Sequence, residues 1–172
     1  MCIRDRTDAG VHVRINGGIV DIEKSLWDAL SPRKMIRAID DRLDSNIAFL
    51  TVEPVEPDFN PRLALHRTYR YRLEAMEFWV EPDHEAFARW LSHFVGTYDA
   101  RNFARLEEGK NPIRTVLAAH PWMDNGRLMG FEIKGEAFLW NQVRRVANAL
   151  FRLSVGELEE DDVVQAIQSP LT

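Results

Sequence analysis

The chain has 172 residues, 45% of them hydrophobic, and a net charge of −5, which is enough apolar content for one medium domain or two small ones sharing an interface. No run of about 18 uncharged apolar residues occurs and the N-terminus lacks an apolar core followed by small residues, so neither a membrane span nor a secretory signal is predicted and the default compartment is cytoplasmic. The single cysteine, Cys2, excludes an internal disulfide, and the five histidines show no HExxH or Cys/His spacing suited to zinc, so no structural metal is expected.

In chain order, the first notable stretch is RTDAGVH, Arg6 to His12. TDAG alone is turn chemistry, because aspartate bonds its own backbone two residues on and glycine accepts positive φ, yet such a turn also presents the Asp8 carboxylate. Asn16-Gly17-Gly18 fits a turn or bulge rather than the phosphate-cradling GxxxxGK[ST] pattern. Ser31-Pro32 starts a helix, since serine caps and proline tolerates the first position; Met35, Ile36, Ile39 and Leu43 recur at helical spacing, and the helix is expected to end near Asp44. Ile47 to Val52 is β-rich and reads as a strand stopping at Pro54, followed by the acidic loop EPVEPDFNPR. In RTYRYRL, Tyr69, Tyr71 and Leu73 alternate with Thr68, Arg70 and Arg72, so a strand places both tyrosines on one face and both arginines on the other.

Pro82 to Gly96 reads as a helix capped by Asp83, with Phe87, Trp90, Leu91, Phe94 and Val95 as a core stripe and Gly96 as the stop. Arg127 to Lys134 is predicted as a strand ended by Gly135, and Leu139 to Leu153 as the longest helix, burying Leu139, Val143, Val146 and Leu150. A short acidic helix over Glu159 to Gln168 closes the chain. Helices set between hairpin-like strands predict an α+β fold with an antiparallel sheet.

Charge is unevenly spread. Arg62 to Arg72 holds four arginines and no acid, and Lys134 to Val155 four bases against one acid, whereas Glu74 to Glu85 and Gly156 to Thr172 each hold five acids and no base. This segregation is compatible with a basic cleft on an acidic body, although each segment by itself fits an ordinary solvated face.

RTDAGVH, DFNPRLALHRTYRYRL, GTYDARNF, NPIRTV and GEAFLWNQVRRVANAL, in this order, resemble the tRNA pseudouridine synthase A family, most closely its archaeal-type members, from about Arg6 to Gly156. The resemblance implies the pseudouridine synthase fold, two similar α+β halves with antiparallel sheets flanked by helices and a positively charged cleft between them. It implies isomerisation of uridine to pseudouridine in the anticodon stem-loop of tRNA by a homodimer that needs no cofactor and no metal. Asp8 is then the catalytic aspartate, Tyr69 the active-site tyrosine, and Arg144 the basic residue that meets the aspartate. Those roles are chemically apt. An aspartate acts as a nucleophile or base only when ionised, and a permanently charged arginine nearby favours that form. A tyrosine offers a ring to stack on a base and a hydroxyl to hold or move a proton. Phosphate and groove contacts fall to Arg6, Arg62, His66, Arg67, Arg70, Arg101, Arg105, Arg114, Asn141 and Arg145.

The family pattern begins earlier, with a strand carrying a YDGT-like segment, has glycine where Asp5 stands, and continues past SPLT through a final strand. Residues 1–66 are accordingly expected to be the remnant of an N-terminal half carrying Asp8, with Met1 to about Asp5 foreign to it, and residues 67–172 a C-terminal half lacking its last strand. A missing strand exposes a sheet edge, which predicts poor solubility or reliance on a partner. A non-enzymatic RNA-binding module is the competing reading. A carboxylate phosphohydrolase would want a strand ending in DxD with a magnesium site, and the sequence has neither.

Overall fold

A computed structural model describes residues 11–60 and 63–169. The chain divides into two compact units, Met1–Leu63 and Ala64–Thr172. In the first unit, α1 (Lys24–Ala29) is followed by α2 (Pro32–Asp40). Ser31 caps α2 as its sequence predicts: its Oγ accepts the Lys34 N–H at 3.4 Å, with Pro32 in the first turn. The helix ends at Asp40 rather than near Asp44, because the Asp40 carboxylate turns to accept the Phe49 N–H at 2.8 Å while the Arg42 and Leu43 amides close tight turns onto Ile39 and Asp40. The strand expected over Ile47 to Val52 does not form. No neighbouring strand among the described residues gives it a ladder, and a β-rich segment without a partner has nowhere to place its backbone hydrogen bonds.

The second unit is an antiparallel four-stranded sheet with helices, which agrees with the expected α+β class. Its strands are β1 (Arg67–Arg72), β2 (Gly96–Asp99), β3 (Ile113–Asp124) and β4 (Arg127–Gly135), in the order β1-β4-β3-β2. β3 and β4 form the central hairpin around Asn125-Gly126, whose φ angles of 47° and 79° are those of a turn that favours this dipeptide. β1 pairs with β4 so that Tyr69 lies opposite Ile133 and Tyr71 opposite Phe131, while Arg70 lies opposite Glu132. The alternation read from RTYRYRL therefore holds. The tyrosine side faces the core residues Phe131 and Ile133, both fully buried.

Helices α3 (His84–Ser92), α4 (Gln142–Ser154) and α5 (Glu160–Gln168) pack against β3, β1 and β2 respectively. Asp83 caps α3 through its Oδ1, which accepts the Ala86 N–H at 2.9 Å. Phe87, Leu91 and Phe94 are fully buried and Trp90 packs partly buried against them, but Val95 is 43% exposed, because the helix ends at Ser92 and leaves Val95 in the turn beyond it. Gly96 does not merely stop α3; at φ 125° it opens β2. Tyr98 of β2 is buried, and that burial pushes its hydroxyl up to about 12 against the opposing pull of the Gln142 side chain.

α5 is tied to α3 by one carboxylate. Glu160 accepts from Arg89 Nε at 3.1 Å, from Trp90 Nε1 at 3.2 Å and from His93 Nε2 at 2.6 Å. The His93 hydrogen bond, with Arg89 behind it, holds the Glu160 carboxyl below its ordinary value of 4.5. A carboxyl depressed in the folded state lends stability that is present above its unfolded pKa and lost as pH falls through the folded one. Glu160→Ala is thus expected to cost on the order of 1 kcal/mol at neutral pH, because the exposed Arg89 regains solvent while Trp90 and His93 lose an acceptor. Urea midpoints measured across the acid range should fall less steeply below pH 4.5 in the variant than in the parent; parallel profiles would show that Glu160 contributes no such linkage.

Candidate active site

The described part of the site is built from β1, the segment before α4, and α4 itself. Asp8, Arg6 and Arg62 lie outside the described residues. Tyr69 sits on β1 with 37% of its surface exposed, and its ring meets Phe138 edge to face at 5.4 Å. Such a contact orients the tyrosine ring while leaving part of it open.

α4 was expected to begin at Leu139, yet it begins at Gln142. Asn141 adopts a left-handed conformation, φ 62° and ψ 9°, which asparagine tolerates better than most residues, and the residue before it, Trp140, forms an isolated bridge with Arg105. Leu139 is buried ahead of the helix, and its N–H donates to the buried Gln142 Oε1 at 2.9 Å. Val146 and Leu150 are fully buried and Val143 packs partly buried, so the apolar face of α4 is as its spacing predicts. Arg144 and Arg145 fall on the solvent side, and neither has an ion pair or side-chain hydrogen bond among the described residues.

The other basic positions divide into engaged and unengaged. Arg70, on the face opposite Tyr69, pairs with Glu132 at 2.8 Å and lies 5.5 Å over the Trp122 ring, in a shallow recess with His120. Arg101 grips Asp99 through Nε and Nη2 at 2.9–3.1 Å; burial pushes the Asp99 carboxyl up, but the Arg101 hydrogen bonds and charge outweigh it and hold the group below its ordinary value. Arg114 donates to the Asn111 and Ile113 carbonyls at 2.8 and 2.6 Å, and Arg67 to the Glu136 carbonyl at 3.4 Å. His66 is exposed just before β1. Arg105 lies 4.4 Å over the ring of Trp140, and its N–H donates to the Trp140 carbonyl at 2.9 Å.

Sequence reasoning missed Phe138, Trp140 and Glu132. The cross-strand pairing of Arg70 with Glu132 needs the register of two strands. For Phe138 and Trp140, the helical stripe beginning at Leu139 masked that the helix starts only after Asn141.

The family profile described as tRNA pseudouridine synthase matches residues 91–172. The chain is 31% identical over 166 residues to tRNA pseudouridine synthase A of Methanocorpusculum labreanum, covering 96% of this chain and 55% of that protein. Against the same-named proteins of Methanoculleus marisnigri and Thermococcus onnurineus it is 35% identical over 168 and 159 residues, covering 96% and 92% of this chain and 57% and 55% of theirs. The chain is similar to proteins named tRNA pseudouridine synthase A over 92–96% of its own length, and it spans about half the length of the curated relatives it matches.

Proposed function

We propose that the chain acts in a tRNA pseudouridine synthase that isomerises uridine in the anticodon stem-loop, with Asp8 as nucleophile. The observation that carries this reading is that likeness to proteins named tRNA pseudouridine synthase A runs through 92–96% of the chain. In the reaction the N1–C1′ bond of uridine breaks, the freed uracil turns, a C5–C1′ bond forms, and the C5 hydrogen leaves as a proton while N1 gains one. Atoms balance without an oxidant or a second substrate.

Each residue has a role it suits chemically. The ionised Asp8 carboxylate attacks sugar or base, and Arg144 stabilises its charge. Tyr69 offers its exposed ring to the detached uracil and its hydroxyl for proton transfer. Taking the base out of its stack costs a few kcal/mol, which contacts to the RNA backbone offset. Arg6, Arg62, Arg67, Arg70, Arg101, Arg105, Arg114 and Arg145 are proposed for those contacts, with His66 and Asn141 in the same groove. Among them Arg105 and Arg145 have the freest guanidinium groups, since no acid pairs with either among the described residues. A homodimer working in the cytoplasm, with two α+β halves forming a basic cleft, completes the proposal. No helix among the described residues is long and apolar enough to cross a membrane.

The test is tritium release from a tRNA transcript labelled at uridine C5, because forming the new carbon bond must expel that hydrogen. Release above the protein-free control is expected. A chain that shows its helices by circular dichroism and binds the transcript without release would instead be the non-enzymatic RNA-binding module.

A further inference from the structure

Trp140 is 48% exposed, so one face of its indole is open to a flat partner. Its ring is fixed from one side by the Arg105 guanidinium at 4.4 Å, and its backbone by the Arg105 amide. Phe138, two residues earlier, is fixed in turn against Tyr69. Leu139 between them is buried, Phe138 packs partly buried against the same core, and Trp140 is the exposed member of the three. Two braced aromatic side chains thus stand two residues apart in the chain: Phe138 against Tyr69, and Trp140 under Arg105.

The charge around Trp140 narrows the kind of partner. Arg70, Arg72, Arg89, Arg101, Arg127 and Arg152 are each paired with a carboxylate. Arg105, Arg144 and Arg145 have no such partner among the described residues, and all three lie on or next to the segment that presents Trp140. In a chain of net charge −5, arginines left without acids beside an open indole face fit an anionic partner with flat rings. Single-stranded nucleic acid has both features, phosphates for the guanidinium groups and a base for the ring.

Resting on the functional reading above, we propose that Trp140, braced by Arg105, stacks on an unpaired base flanking the target uridine, so that this ledge holds the loop open beside the base being rearranged. The test measures binding of the full chain to a fluorescently labelled stem-loop RNA with the target uridine in its loop. It includes RNAs made abasic at each flanking loop position, and the variants Trp140→Ala and Trp140→Phe. Trp140→Ala should weaken binding roughly 5- to 100-fold, the range for loss of one base–aromatic stack, and Trp140→Phe much less. At one flanking position the abasic RNA should bind the parent as weakly as intact RNA binds Trp140→Ala, with no further loss when both changes are combined.

Unchanged binding by Trp140→Ala, or losses that simply add at every position, would overturn the ledge. The functional reading fails separately: the parent then shows the Trp140-dependent abasic penalty but releases no tritium. A parent that does not bind the stem-loop sinks both.

Discussion

Asp8→Asn is expected to abolish tritium release from C5-labelled tRNA, by on the order of a thousandfold or more, while leaving tRNA affinity within a few-fold of the parent. Asparagine keeps the size of aspartate and its ability to bond the local backbone, so a turn over TDAG, as its sequence predicts, would keep its chemistry. What it lacks is the negative charge, and with it both nucleophilicity and basicity. The paired readout matters. Loss of turnover with binding intact assigns Asp8 to the chemical step; loss of both indicates that the residue only holds the turn. Turnover that survives in the variant would remove Asp8 from the mechanism altogether.

The largest expected effect on stability lies in the sheet, at Gly130. Its φ is 152°, and a Cβ built there would sit 1.9 Å from the Tyr71 carbonyl oxygen and 2.9 Å from the Leu73 nitrogen, both backbone atoms of the β1 chain. Backbone cannot swing aside as a flexible side chain can. Gly130→Ala must therefore push β1 away from β4 at the register point Arg72↔Gly130, loosening the Leu73 and Glu74 amides from the Met129 carbonyl. A loss of about 3–5 kcal/mol is expected, the range of severe single substitutions with a named steric cause. Gly126→Ala separates the causes: its φ is 79° but no atom lies within 4 Å, so only the conformational penalty of about 1 kcal/mol applies. Urea denaturation of both variants decides the matter, and equal losses would show that the close approach at Gly130 is relieved at little cost.

Gly130 also shows why part of the fold was legible and part was not. Arg127 to Lys134 was readable as a strand from Phe131 and Ile133 alternating with Glu132 and Lys134, but that a neighbouring backbone crowds Gly130 follows only from pairing with a segment far away in sequence. β1, α3, α4 and α5 were readable because each carries its own period and, for α3, its own cap. β3 was not, since IRTVLAAHPWMD has no clean alternation, contains Pro121, and is broken by register shifts at Val116/Ala118 and Trp122/Met123. Ile47 to Val52 failed in the opposite way: strand-like composition is a preference that needs a partner to be expressed. In the candidate site, the side on which Tyr69 lies was legible from YRY, whereas the Trp140 ledge depends on the left-handed turn at Asn141, which no periodicity announces.

The strand that carries Tyr69 stands at the edge of its sheet. Among the described residues β1 has one ladder, with β4, where Arg70 and the Glu132 it meets are 62 positions apart in sequence, whereas β3 and β4 are neighbours through a tight turn. Closing a short loop is fast and closing a long one slow, so the hairpin forms early in folding and β1 docks late. What docks late with few partners also opens at low free energy in the finished molecule. The population of molecules with Tyr69 held against Phe138 is therefore smaller than the population with intact helices, and a preparation that looks fully folded by its helices still contains a fraction whose site is unmade.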